Sequence, residues 1–189
     1  LAQGATVGTG SFRRQSQLLA VRPDLVIADI RGNIHTRLKK IETGAYHAVV
    51  LACAGLRRLG LEDRISSVFD YSVMLPAPGQ GALAVEIRAD DDRVNAMATK
   101  LNHPETANAV SVEREFLRRM GGGCNIPIAV YARTENGLMT IDCLVSSKDG
   151  KRTVRDSMRT APEKSMEAVA VLSDRVLSRG GHDILNETV

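Results

Sequence analysis

Tryptophan is absent, and tyrosine and phenylalanine occur three times each in 189 residues. The aromatic platforms on which proteins stack single-stranded nucleic acid are therefore scarce. Long apolar runs are missing too: no window approaches the roughly 18 consecutive apolar residues of a membrane-spanning helix, and the first residues lack the basic, apolar, small-residue order of a signal peptide. No membrane partner is expected. Cys53, Cys124 and Cys143 form an odd set without C-x-x-C spacing, which specifies neither a disulfide framework nor a four-cysteine zinc site. A reducing, cytoplasmic setting is the default expectation. His35, His47, His103 and His182 share no metal-ligand spacing with one another or with the cysteines, so no metal is expected. Gly79-Gln80-Gly81-Ala82 lacks the following Gly-Lys-Ser or Gly-Lys-Thr of a phosphate loop, and no serine sits on a G-x-S-x-G elbow.

What is present is an ordinary globular balance of 43% hydrophobic and 25% charged residues, which excludes collagen-like, low-complexity and disordered classes. The length suits one large domain or two small ones. The formal net charge is only +3, but it is unevenly placed. Up to Lys40 there are seven basic residues (Arg13, Arg14, Arg22, Arg31, Arg37, Lys39, Lys40) against Asp24 and Asp29. That local excess favours an anionic partner, and with so few aromatics a small polyanion suits it better than RNA or DNA. The chain starts at Leu1, and Leu1 to Gly4 reads as the tail of an earlier element, so a fragment of a longer protein is expected.

Hydrophobic periodicity predicts a strand over Ala5 to Thr9 and a helix from Phe12 to Arg22, capped by Ser11 and ended by Pro23. Leu25 to Ile30 reads as a second strand. Ile34, Leu38 and Ile41 then fall on one helical face closed by Gly44, and Ala48 to Ala52 is a third strand. Strands alternating with helices point to an open parallel sheet, whose ligands sit at the strand C-terminal ends. Leu75 to Gly81 is a turn-rich crossing between domains, Ala82 to Ile87 a strand and Asp91 to Leu101 a helix. Another helix runs from Pro104 to about Met120. Strands over Ile126 to Ala132, Leu138 to Ser146 and Thr153 to Thr160 follow, with a hairpin at Ser147 to Gly150 and a closing helix from Pro162 to Arg179. Consecutive strands before a helix predict a small antiparallel α+β domain.

Both basic clusters follow predicted strand ends, Ser11 to Arg14 after the first and Arg31 to Arg37 after the second. Arg13 and Arg14 sit in the first turn of a helix, where the dipole already favours an anion and two cations are unfavourable by roughly 0.3 to 1 kcal/mol each. An anionic ligand removes that penalty, and the guanidinium fork suits carboxylates. For an isolated arginine pair the alternative is a solvated helix face, but Arg31 and Arg37 bring four guanidiniums toward one crevice. Cys124 follows three glycines, so its thiol is expected to be accessible, and a basic neighbourhood would make it a nucleophile or attachment point. The alternative is a small buried cysteine, the reading kept for Cys53 and Cys143 in their apolar runs.

The runs Val7-Gly8-Thr9-Gly10-Ser11-Phe12-Arg13-Arg14-Gln15, Arg31-Gly32-Asn33-Ile34-His35-Thr36-Arg37-Leu38 and Ala52-Cys53-Ala54-Gly55-Leu56-Arg57-Arg58-Leu59-Gly60 resemble successive signatures of the porphobilinogen deaminase (hydroxymethylbilane synthase) family. Pro78-Gly79-Gln80-Gly81-Ala82, Leu101-Asn102-His103-Pro104-Glu105-Thr106 and Gly122-Gly123-Cys124-Asn125-Ile126-Pro127-Ile128 continue the likeness in order. The resemblance implies a transferase that joins four porphobilinogen molecules into hydroxymethylbilane, losing ammonia each time, for haem and other tetrapyrroles. It implies a dipyrromethane cofactor held by a thioether to Cys124. It also assigns Thr9, Ser11, Arg13, Arg14, Arg31 and Arg37 to the carboxylates of cofactor and substrate, with Ala52 and Gln80 as further cleft residues.

Two departures accompany the resemblance. The family's catalytic aspartate belongs to an N-terminal region that cannot be matched here, so no catalytic residue is assigned, the fragment is expected to be inactive and Cys124 to lack cofactor. Gly121 replaces a common glutamate. The implied fold is an incomplete, mainly parallel α/β domain resembling half of a type II periplasmic binding protein (1–79), a segment returning to the absent first domain (80–102), and a cysteine-bearing α+β domain with a three-stranded antiparallel sheet (103–189). The complete protein is expected to be monomeric and the fragment to self-associate through apolar faces in 80–100. The rival readings are a non-enzymatic polycarboxylate-binding domain on the same architecture and a salt-sensitive nucleic-acid binder.

Overall fold

The computed structural model describes residues 1–121 and 126–187. Its first unit is a parallel sheet of three short strands, β1 (Thr6–Gly8), β2 (Val26–Ala28) and β3 (Ala48–Val49), in the order β2-β1-β3. Helices α1 (Phe12–Val21), α2 (Ile34–Glu42) and α3 (Cys53–Arg58) follow these strands in turn. The helix starts are set chemically. Ser11 Oγ accepts from the Arg14 N–H at 3.4 Å, and Asn33 Oδ1 accepts from the Thr36 N–H at 2.9 Å. Ala5, Val7, Leu18, Leu25 and Val50 form the small core under this sheet.

The second unit is an antiparallel sheet of β4 (Ile128–Glu135), β5 (Leu138–Ser146) and β6 (Thr153–Thr160), in that order. Helices α5 (Pro104–Arg119), α6 (Ser165–Val176) and α7 (His182–Asn186) cover one face, while the short α4 (Asp92–Thr99) precedes them in the chain. Alternation dictates this packing. Ile128, Val130 and Ala132 of β4 and Met139, Ile141, Cys143 and Val145 of β5 point into a core with Val112 and Phe116 of α5 and Val169 and Leu172 of α6. The intervening residues Ala129 and Leu144 face the other way and bury Leu75. Both faces of the sheet are therefore used, one for its own core and one for the first unit. Burial pushes the Cys143 thiol up to about 12, as an inert core residue requires. Cys53, expected in the interior, is only half-buried because it opens α3 instead of lying inside a strand.

Three further expectations are corrected. Residues 82–87 form no strand: an extended segment becomes one only when a neighbour accepts its backbone hydrogen bonds, and none of the described strands lies beside it. Its apolar side chains consequently stay in solvent, with Leu83 79% exposed. The third parallel strand stops at Val49, although the Val50 N–H still donates to the Gly8 carbonyl at 3.1 Å. The closing helix is broken. After α6 the chain kinks through Leu177–Gly181, where Gly180 takes φ 104° and a Cβ on Gly181 would stand 2.6 Å from the Val176 carbonyl oxygen. No helix among the described residues is long and apolar enough to cross a membrane.

Candidate functional site

The C-terminal edge of the parallel sheet is built by close approach. A Cβ on Gly8 would meet Tyr46, Ile30 and Val49 at 3.0 to 3.1 Å, and one on Gly10 would meet Asp29 Oδ1 at 2.9 Å. The loop after β1 therefore lies tightly against the loop after β2. The Thr9 hydroxyl accepts from the Ser11 N–H at 3.2 Å, setting the residue that caps α1. The first turns of α1 and α2 thereby converge at the C-terminal ends of β1 and β2, the edge of the sheet on which open α/β folds bind ligands.

A cavity of about 440 Å³ opens there, lined by Gly10, Ser11, Arg13, Arg14, Asp29, Ile30, Arg31, Arg37, Ala77 and Gln80. All four arginines singled out from the sequence meet in its wall, although they occupy different roles. Arg13 is buried, donating through Nη1 to the Leu75 carbonyl at 2.6 Å and through Nη2 to Gln80 Oε1 at 3.1 Å. Burial, then the charge of Arg14, pushes its pKa down to about 10. Arg14 donates to the Val50 carbonyl at 2.9 Å, and burial followed by repulsion from Arg37 lowers its pKa as well. Both remain cations at neutral pH, held at an energetic cost. Arg37 donates from Nε to the Gly32 carbonyl at 2.8 Å. Arg31 is 91% exposed on its side chain and pairs with Asp29 at 3.2 Å, a surface contact of little strength.

Ser11 and Gln80 also reach the cavity, whereas Thr9 stands behind it and Ala52, just before α3, lies outside its lining. Cys124 lies outside the described residues. Asp29 and Ala77 were not singled out in the sequence. Asp29 carried a usable signal, since it is the one charged residue inside the apolar run that delivers Arg31. A larger cavity of about 570 Å³ is lined by Val7, Leu18, Leu25, Leu38, Val50 and Leu56 among others; its wall is predominantly apolar and offers no comparable cluster of cations.

An arginine cluster at the strand C-terminal ends of a three-stranded parallel sheet, backed by an antiparallel unit with helices, defines a mixed α/β protein with a cationic cavity. Comparison with known families makes this specific. Residues 1–96 match the family model described as porphobilinogen deaminase, dipyromethane cofactor binding domain, and residues 107–177 match porphobilinogen deaminase, C-terminal domain. The chain belongs to the porphobilinogen deaminase family, transferases of tetrapyrrole biosynthesis that act on porphobilinogen and linear polypyrrole intermediates.

Proposed function

We propose that this chain holds the carboxylates of porphobilinogen, and of the polypyrroles grown from it, for the hydroxymethylbilane synthase reaction in which four porphobilinogen molecules are joined with loss of ammonia. The observation that carries the reading is the convergence of Arg13, Arg14, Arg31 and Arg37 on one cavity. Each pyrrole brings two carboxylates, and their charge offsets the burial and mutual repulsion that lower the pKa of Arg13 and Arg14.

The dipyrromethane cofactor has the same carboxylated pyrrole chemistry and fits the same donor set. Ser11, Arg13, Arg14, Arg31 and Arg37 would hold it, with Thr9 orienting Ser11, Gln80 bordering the site and Ala52 set back from it. Bound through a thioether to Cys124, the group supplies the pyrrole carbon from which the chain grows. The protein's own contribution is to neutralise and orient carboxylates and to keep the growing end at the site, which makes each addition effectively intramolecular. Asp29 is engaged with Arg31 and is not assigned a catalytic role. We assign turnover to the complete protein rather than to these residues alone, and a cytoplasmic location accords with the free thiols of Cys53 and Cys143.

The division into 1–79, 80–102 and 103–189, and the likeness of the first part to half of a type II periplasmic binding protein, belong to the same proposal. The strand order β2-β1-β3 supports it. Leu83 and Leu101, 79% and 72% exposed, support self-association through the middle segment. Light scattering should show the mass rising with concentration, and a monomer at all concentrations would sink that part.

Porphobilinogen added to the chain together with the aspartate-bearing N-terminal region of the family should leave a pyrrole adduct on the Cys124 peptide, read by mass spectrometry. Cys124→Ala should abolish it. Porphobilinogen binding without an adduct would favour a non-enzymatic polycarboxylate-binding domain, and an adduct on Cys53 or Cys143 would overturn the assignment.

A further inference from the structure

We propose that Glu113, on α5 of the antiparallel unit, is a positioning residue that fixes the wall of the arginine cavity. The proposal rests on the reading of that cavity as a polycarboxylate site. Glu113 is 5% exposed, and its carboxylate joins two segments far apart in the chain. Oε2 accepts from the Gly79 N–H at 2.6 Å and Oε1 accepts from the Ala132 N–H of β4 at 2.9 Å. The turn that carries Gly79 also carries Gln80, whose Oε1 accepts from the Ala77 N–H at 3.2 Å and from Arg13 Nη2 at 3.1 Å. Leu75, just before the turn, takes the other Arg13 nitrogen and is itself clamped by Gln17, which accepts from the Leu75 N–H at 2.8 Å and donates to its carbonyl at 3.1 Å. The guanidinium of Arg13 is thus held by a short run of chain whose far end is anchored on Glu113.

Packing alone does not call for a carboxylate here. Burial raises the Glu113 pKa against the two N–H groups that lower it, and an apolar side chain would avoid that cost. What the carboxylate supplies is two acceptor oxygens in one rigid group, able to take charge-assisted hydrogen bonds from two backbones at once. A glutamine has one acceptor oxygen and must release one of them. The same helix ends at Arg119, and the chain runs on from there toward Cys124. Glu113 therefore ties the helix that leads to the proposed tether to the cavity that receives the tethered acid groups. The units would stay docked without it, because Leu75 remains buried against Ala129 and Leu144 and Arg155 still donates to the Tyr71 and Ser72 carbonyls.

The test is a double-mutant cycle on porphobilinogen affinity, measured by calorimetry with Glu113→Gln, Gln80→Ala, the pair together, and Val112→Ala as a control in the same helix. Glu113→Gln should weaken binding by about tenfold, the loss of one charge-assisted hydrogen bond. The double variant should bind no more weakly than the worse single one, since both act on Arg13 through one turn. Val112→Ala should lower the melting temperature and leave the affinity unchanged. Additive losses, or an unchanged affinity in Glu113→Gln, would overturn the proposal. If wild-type chain does not bind porphobilinogen, the cavity reading fails and amide hydrogen exchange decides Glu113 by itself. Exchange at Gly79 and Gln80 should speed up by about tenfold or more in Glu113→Gln and not in Val112→Ala; equal rates in all three proteins would remove Glu113 as the anchor.

Discussion

Arg14→Leu is expected to weaken porphobilinogen binding by on the order of a hundredfold while leaving thermal stability within about 1 kcal/mol of wild type. The two halves of that expectation have separate causes. A carboxylate facing the cavity loses a forked, charged donor, worth about 2 to 3 kcal/mol. In the unliganded protein the same guanidinium is a liability: it lowers the pKa of buried Arg13 and is itself opposed by Arg37. Removing it forfeits the hydrogen bond to the Val50 carbonyl but relieves that repulsion, and the two nearly offset. Calorimetric titration with porphobilinogen beside a thermal melt checks both. An affinity within twofold of wild type would show that the arginine cluster is a solvated surface. Arg13→Leu should behave differently, because it takes a charged donor from both the Leu75 carbonyl and Gln80 Oε1, which keep only Gln17 Nε2 and the Ala77 N–H, and must therefore cost stability as well as affinity.

The second large effect lies far from the cavity in sequence. Gly150, in the turn between β5 and β6, takes φ +73° and presses against the backbone of α1; a Cβ there would collide with the Ser16 carbonyl oxygen and stand 2.8 Å from the Ala20 nitrogen. Neither obstacle is a flexible side chain, so Gly150→Ala must push the hairpin off the helix. That movement breaks the hydrogen bond from Gln15 Nε2 to the Lys148 carbonyl at 3.1 Å and lifts the Lys148 ammonium from its place 4.7 Å over the Phe12 ring. Left-handed strain and overpacking together are expected to cost about 3 kcal/mol or more in urea denaturation. Gly137, in the β4–β5 turn, has a similar φ of +76° with open space around it, so Gly137→Ala carries the conformational cost alone, about 1 kcal/mol. Equal losses at the two positions would mean that docking on α1 does not require the glycine. Because α1 bears Arg13 and Arg14, Gly150→Ala should also reduce porphobilinogen affinity.

The elements most legible in the sequence are those whose signals are local. Ser11 marks the start of α1 through its own side chain, Asn33 does the same for α2 although it was not read as a cap, and Pro104 opens α5 at the position read for it. Strands β5 and β6 follow from alternation along a single run and agree with their sequence bounds, Leu138 to Ser146 and Thr153 to Thr160. The β4–β5 turn at Asn136-Gly137 carried an equally local signal, both residues adopting positive φ, but it was not singled out. Residues 82–87 illustrate the opposite case. Their alternation of Leu83, Val85 and Ile87 is a genuine strand pattern, yet pairing is a property of two segments and the described structure provides no second one.

The candidate site divides along the same line. That arginines cluster after the first two strands and that the sheet is parallel were determined by residue order alone, because charge, capping and hydrophobic period are written within a few residues of one another. Tertiary structure decided which arginine is held and by what. Arg13 is buried on the Leu75 carbonyl and Gln80, Arg14 rests on Val50, and Arg31 is left in solvent with Asp29. It also decided that a glutamate from the other unit secures the turn beneath them. A hydrogen bond between residues dozens of positions apart costs chain entropy to close, and burial of the surrounding core, rather than any local preference, is what makes that closure favourable.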